Sequence, residues 1–145
     1  MTLKLAFASD HGGFDLKQTL ISAVSGDEIE IIDLGVHNTD SMDYPDKAHE
    51  IAEAVLSGKA DRGVLVCGTG IGVSIAANRH KGIRAALCTD PHMAAMSREH
   101  NDANILCLGG RVIGPGLAEA IVQAFLTGTF EGDRHVRRLE KIELK

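Results

Sequence analysis

At 145 residues and 44 % hydrophobic content, the chain is long enough to bury one core without disulfide staples, and residues 1–145 are expected to form a single domain. A formal net charge of −5 and 3 % aromatic residues argue against a nucleic-acid partner, which selects a basic excess and stacking platforms. No apolar run approaches the about 18 residues that span a bilayer, so no membrane role is expected.

The first thirteen residues, MTLKLAFASDHGG, show no basic flank, long apolar segment or small-residue cleavage site of a secretory leader. Three cysteines, Cys67, Cys88 and Cys107, cannot all pair within one chain, and a reducing cytoplasm is the expected compartment. Residues 3–9, LKLAFAS, read as a buried strand. Residues 13–24 carry Phe14, Leu16, Leu20, Ile21 and Val24 at helical spacing, and 28–34 form the next apolar run. Pro45 suits a first helical turn, after which Ala48, Ile51, Ala52 and Val55 share a face until Gly58.

The alternation then repeats. Strands are predicted over 62–66, 83–87 and 104–108, with helices over 71–79, 91–99 and 115–127. Strands apolar on both faces, alternating with helices, predict an α/β, three-layer α/β/α fold with a five-stranded parallel sheet. Residues 132–145 place Val136, Leu139 and Ile142 on one stripe amid charge, an extra C-terminal helix that docks elsewhere.

Parallel sheets bind ligands at the carboxyl ends of their strands. Those exits are Ser9 to Gly13, Cys67 to Gly72, and Gly109 to Arg111. CGTGIG, residues 67–72, follows a strand and opens a helix, so its N–H groups can face an anion. It is not a full G-x-G-x-x-G, follows the third strand rather than the first, and contains no lysine. Dinucleotide binding and a Walker-type ATPase are therefore disfavoured. What remains is an oxyanion or phosphate cradle beside Cys67, whose thiolate a helix N-terminus would favour. Taken alone, Cys67 reads more readily as a small core residue.

Asp10 and His11 can handle protons or bind hydroxyls, or Asp10 can cap the following helix. His100 and Asn101 fall between a helix and the fifth strand. Arg134 and Arg138, four apart, can clamp a phosphate or form a solvated charged face. Dispersed histidines without H-x-x-x-H or C-x-x-C spacing indicate no metal. The absence of G-x-S-x-G argues against a serine hydrolase.

The motifs SDHGG, DYP, CGTGIGVSIAANR, GIRAAL, SREHNDANIL, GGRVIG and EGDRHVRRLEKI, in this order over essentially the whole chain, resemble the type B ribose-5-phosphate isomerase family, which includes galactose-6-phosphate and allose-6-phosphate isomerases. The resemblance implies a Rossmann-like sandwich and a cofactor-free, metal-free aldose–ketose isomerase of the pentose phosphate pathway, converting D-ribose 5-phosphate and D-ribulose 5-phosphate. It also implies a homodimer or dimer of dimers with interfacial sites. By position, Cys67 is the base and Gly68, Thr69, Gly70, Ile71 and Gly72 hold the enediolate, Thr69 adding a hydroxyl. His100 opens the furanose ring and Asp10 exchanges protons with sugar hydroxyls. His11, Arg134 and Arg138 hold the phosphate, while Tyr44, Asn101 and Arg111 make further contacts. Family members without the cysteine carry a glutamate after the last loop glycine; here that position is Val73, which places the chain with the cysteine-base subgroup. The alternatives are another sugar phosphate, of six carbons or a four-carbon ketose, and a non-catalytic sugar-phosphate-binding module.

Overall fold

The computed structural model describes residues 2–24 and 26–144. Five strands are formed: β1 (Leu3–Ser9), β2 (Ile29–Asp33), β3 (Arg62–Cys67), β4 (Ala85–Leu87) and β5 (Ile105–Gly109). They alternate with α1 (Phe14–Val24), α2 (Tyr44–Leu56), α3 (Ile71–Ala77), α4 (Pro91–Glu99) and α5 (Pro115–Thr127), and α6 (Arg134–Ile142) follows. All pairings are parallel, in the order β2-β1-β3-β5-β4. The expected three-layer α/β/α sandwich with an added C-terminal helix is the fold.

Its layers follow from the two-residue period of a strand. On one face Leu5, Phe7, Val64, Val66, Leu106 and Leu108 meet α1 and α5 through Leu16, Leu20, Ile121 and Phe125. On the other, Ala6, Leu65, Cys67, Ile105 and Cys107 meet α2 and α3 through Ile51, Ala52, Val73 and Ala77. With both faces covered, the central strands β1, β3 and β5 are apolar over their buried lengths, and each fully buried leucine or phenylalanine contributes about 1.5–3 kcal/mol. A charge enters this layer: Lys17 of α1 is fully buried and pairs with Asp33 at the end of β2 across 2.8 Å.

Several element ends differ from the sequence expectation, for local reasons. β4 begins at Ala85 because the Arg84 N–H donates to the Asn104 side chain (2.9 Å). α3 stops at Ala77 because the Asn78 amide turns to bond the N–H and C=O of Ala85 (2.8 and 2.9 Å). β3 and β5 each run one residue further, since Cys67 pairs with Gly109. A 3-10 turn, His11–Gly13, precedes α1.

β1 lies between β2 and β3, so the direction in which successive strands are added to the sheet reverses there, and a crevice opens at the carboxyl ends of β1 and β3. α6 lies at the opposite edge. Its Glu143 extension accepts the Gly82 N–H (3.1 Å) before β4, and its His135 ring stacks on His100 after α4. Along the expected stripe, Val136 and Ile142 remain exposed. Among the described residues no helix is long and apolar enough to cross a membrane.

Candidate active site

The crevice between β1 and β3 holds a cleft of about 400 Å³ lined by Asp10, Tyr44, Cys67, Gly68, Thr69, Ile71 and Gly72. Cys67 ends β3, buried, and its Sγ accepts the Gly70 N–H across 3.1 Å. Gly70 can make that bond because it adopts φ +81°, and a Cβ there would come within 2.6 Å of Leu87 and 2.9 Å of the Leu108 carbonyl carbon. A backbone N–H set against sulfur is the geometry that holds a thiolate. Among the described residues, the Gly68 and Thr69 N–H groups have no acceptor, while Ile71 N–H turns to Thr69 Oγ1 (3.2 Å). Two donors beside a thiol can meet a developing oxyanion.

The other two thiols are unsuited to this role. Burial, then the charge of Asp90, pushes Cys88 up to about 11, and complete burial raises Cys107 further still. Both stay protonated near neutrality.

Around the thiol, Asp10 is buried and caps the 3-10 turn by accepting the Gly13 N–H (3.1 Å), so the capping role and a place in the cleft coincide. His11 Nδ1 accepts the Met42 N–H (3.2 Å), which puts the proton of the neutral ring on Nε2. The Tyr44 ring lies over Gly72, where a Cβ would approach to 2.5 Å. Arg111 anchors its N–H on Gly68 O (2.9 Å) and lays its guanidinium within 3.5 Å of where side chains of Gly12 and Gly68 would stand.

The remaining predicted residues are elsewhere. Cys67 is level with Gly109, the last residue of β5, whereas the Asn104 carbonyl accepts the N–H of Gly63 near the start of β3. At about 3.3 Å per residue, Asn104 to Gly109 spans roughly 16 Å. His100 and Asn101 precede Asn104 and so occupy the amino edge of the sheet, with Arg134 and Arg138 on α6 beside them. There Arg84 holds the carbonyls of Asn101 and Asp102 (2.8 and 2.9 Å), and buried Arg98 holds Asp102 Oδ1 and the Ala103 carbonyl (2.9 and 2.6 Å). One chain thus carries the predicted residues as two groups, one at each end of the sheet.

A family model described as "Ribose/Galactose Isomerase" matches residues 5–142. The chain belongs to the ribose/galactose isomerase family. That membership makes it an aldose–ketose isomerase. It is 47 % identical to the ribose-5-phosphate isomerase B of Escherichia coli, covering 96 % of this chain and 93 % of the relative. Two solved structures superpose with a TM-score of 0.95: the Clostridium thermocellum ribose-5-phosphate isomerase B, at 53 % identity over 97 % of this chain and 95 % of that one, and the Thermotoga maritima ribose 5-phosphate isomerase, at 51 % over 98 % of both.

In this ribose/galactose isomerase the fold also assembles a group that sequence spacing does not reveal. Glu131 Oε1 lies 3.8 Å from His100 Nε2 and 3.6 Å from His135 Nε2, and the two imidazoles stack at 4.4 Å between centroids. His135 is buried and its Nε2 has no hydrogen-bond partner among the described residues. Burial, followed by the charge of Arg134, holds it below the ordinary histidine range. The signal available beforehand was the four-residue spacing of Glu131 and His135; the third member comes from the end of α4.

Proposed function

We propose that the chain interconverts D-ribose 5-phosphate and D-ribulose 5-phosphate with Cys67 as the base. The observation that carries this reading is the Gly70 N–H to Cys67 Sγ contact beside the unpaired N–H groups of Gly68 and Thr69. The thiolate takes the proton from carbon 2, the released electron pair forms the carbon 1–carbon 2 double bond, and the carbon 1 carbonyl oxygen becomes an oxyanion. The N–H groups of Gly68 and Thr69 and the Thr69 hydroxyl stabilise that charge as it develops. Return of the proton to carbon 1, with proton exchange between the two oxygens at Asp10, gives the ketose.

His100 opens the furanose ring, His11, Arg134 and Arg138 hold the phosphate, and Tyr44, Asn101 and Arg111 position the sugar. These residues meet only if two copies face each other, the carboxyl edge of one sheet against the amino edge of the other. Exposed apolar side chains support this arrangement. Ile71 borders the cleft, Ile75 follows it on α3, and Val136 and Ile142 of α6 flank the arginines, each more than 40 % exposed. A homodimer, or a dimer of dimers, covers both and completes the site.

The family description pairs ribose with galactose, which favours a six-carbon sugar phosphate as the second reading. Measuring kcat/KM for ribose 5-phosphate, allose 6-phosphate, galactose 6-phosphate and four-carbon ketose phosphates decides between them. The highest value is expected for ribose 5-phosphate; a higher one for any other substrate overturns the assignment.

A further inference from the structure

We propose that His100, Glu131 and His135 form a binding site for a divalent transition cation such as zinc, and that its occupancy inhibits the enzyme. Each side chain offers one donor atom, and the three donors lie within 4.8 Å of one another. Two donors on a tetrahedral zinc, each about 2.0–2.2 Å from the metal, stand about 3.3 Å apart. The separations from Glu131 to the two histidines, 3.8 and 3.6 Å, exceed that by only a few tenths of an ångström.

The parts that must move are the free ones. The side chains of His100 and Glu131 are 38 and 47 % exposed, whereas that of His135 is 5 % exposed and fixed. The orphaned Nε2 of His135 is the second observation that points to a ligand. A buried imidazole nitrogen near a carboxylate oxygen, yet too far from it to share a hydrogen, has a lone pair or N–H that nothing among the described residues satisfies. A cation coordinated by the neutral ring would satisfy it. Two imidazoles and one carboxylate suit zinc, cobalt or copper rather than magnesium or calcium, which prefer all-oxygen sets.

Arg134 and Arg138 act on His135 through their positive charge and oppose the cation, so Glu131 supplies the anionic donor that the site depends on. Three protein ligands leave a fourth position open to water. The inhibitory consequence rests on the role of His100 proposed above: a metal on Nε2 removes the lone pair that ring opening needs.

The test is a titration of the full, tag-free protein with cobalt(II), followed by visible absorption, alongside turnover of ribose 5-phosphate with and without zinc. Intense ligand-field bands are expected with no thiolate-to-cobalt charge-transfer band, and they should persist in Cys67→Ser. Glu131→Gln, a change at an exposed position that leaves the fold intact, should weaken cobalt binding at least about tenfold. It should also escape zinc inhibition at concentrations that suppress the unaltered enzyme. Absent bands, bands lost in Cys67→Ser, or a Glu131→Gln titration matching that of the unaltered protein overturn the cation site. Bands that behave as expected without any loss of turnover instead refute the placement of His100 in the reaction.

Discussion

The Gly70 N–H donates to Cys67 Sγ across 3.1 Å, so the residue that ends β3 and the N-cap residue of α3 are joined through the thiol itself. A serine at 67 keeps an acceptor for that N–H but is a far weaker base than a thiol near neutrality. Cys67→Ser is expected to fold with unchanged thermal stability and to lose about 10²–10⁴-fold in kcat, the range of a removed general base. Stopped turnover should be read against retained binding of an unreactive sugar phosphate. A kcat within threefold of the unaltered enzyme would assign the proton to another group.

Gly70 and Gly72 are expected to respond differently to alanine although they are two residues apart. At Gly70 a Cβ meets the Leu108 backbone at φ +81°, which a shift of the Leu87 side chain does not relieve, and Gly70→Ala should cost about 1–3 kcal/mol in chemical denaturation. At Gly72 the obstacle is the Tyr44 ring, a side chain 41 % exposed and able to swing away. Gly72→Ala should therefore keep its denaturation midpoint and raise KM, as Tyr44 leaves the cleft. Equal loss of stability in both variants would contradict this distinction.

The same residues show what the sequence could and could not reveal. The sheet was legible because its central strands are apolar on both faces, as in Leu3–Ser9 and Ile105–Gly109, and the helices because their buried positions recur at helical spacing. Asp10 and the loop from Cys67 to Gly72 were legible because they fall at strand exits, where chain order alone fixes what they border. The separation of His100 from Cys67 was not. It depends on α4 returning the chain to the amino edge, and motif order carries no such distance. Nor was buried Lys17, which sits among apolar neighbours in α1 and finds Asp33 only through the pairing of β1 with β2. Glu131 and His135 were missed because their third partner is about thirty positions away in the chain.

The Lys17–Asp33 pair predicts the acid limb of stability. Burial alone would raise the Asp33 carboxyl, but the Lys17 hydrogen bond, the Gly35 N–H and the Lys17 charge together hold it below its ordinary value of 3.8. A depressed carboxyl contributes stability that is present above its unfolded value, about 3.9, and is lost as pH falls through the folded one. Asp33→Asn retains an oxygen acceptor for both Gly35 and Lys17 but removes the negative charge, leaving the buried Lys17 ammonium with neutral acceptors only, that oxygen and the Gln18 side chain 2.8 Å away. The expected cost at pH 7 is about 3 kcal/mol, the lower end for breaking a buried ion pair. Urea denaturation from pH 7 to 3 should show a shallower decline for the variant. Parallel declines would remove Asp33 from the acid transition.

The division of site residues between the two edges of the sheet predicts complementation. Cys67→Ser and His100→Ala proteins should each be nearly inactive, because every site in either homodimer lacks one residue. In a two-fold dimer whose sites each take Cys67 from one copy and His100 from the other, a mixed dimer has one site with both residues intact and one with neither. Unfolding the two variants together in equal amounts and refolding them gives half mixed dimers, and so roughly a quarter of the activity of unaltered protein per chain. Mixing without unfolding should recover activity only as fast as subunits exchange, which separates shared sites from simple contamination. No recovery after refolding would place both residues in a site built by a single chain, which the roughly 16 Å between the sheet's two edges opposes.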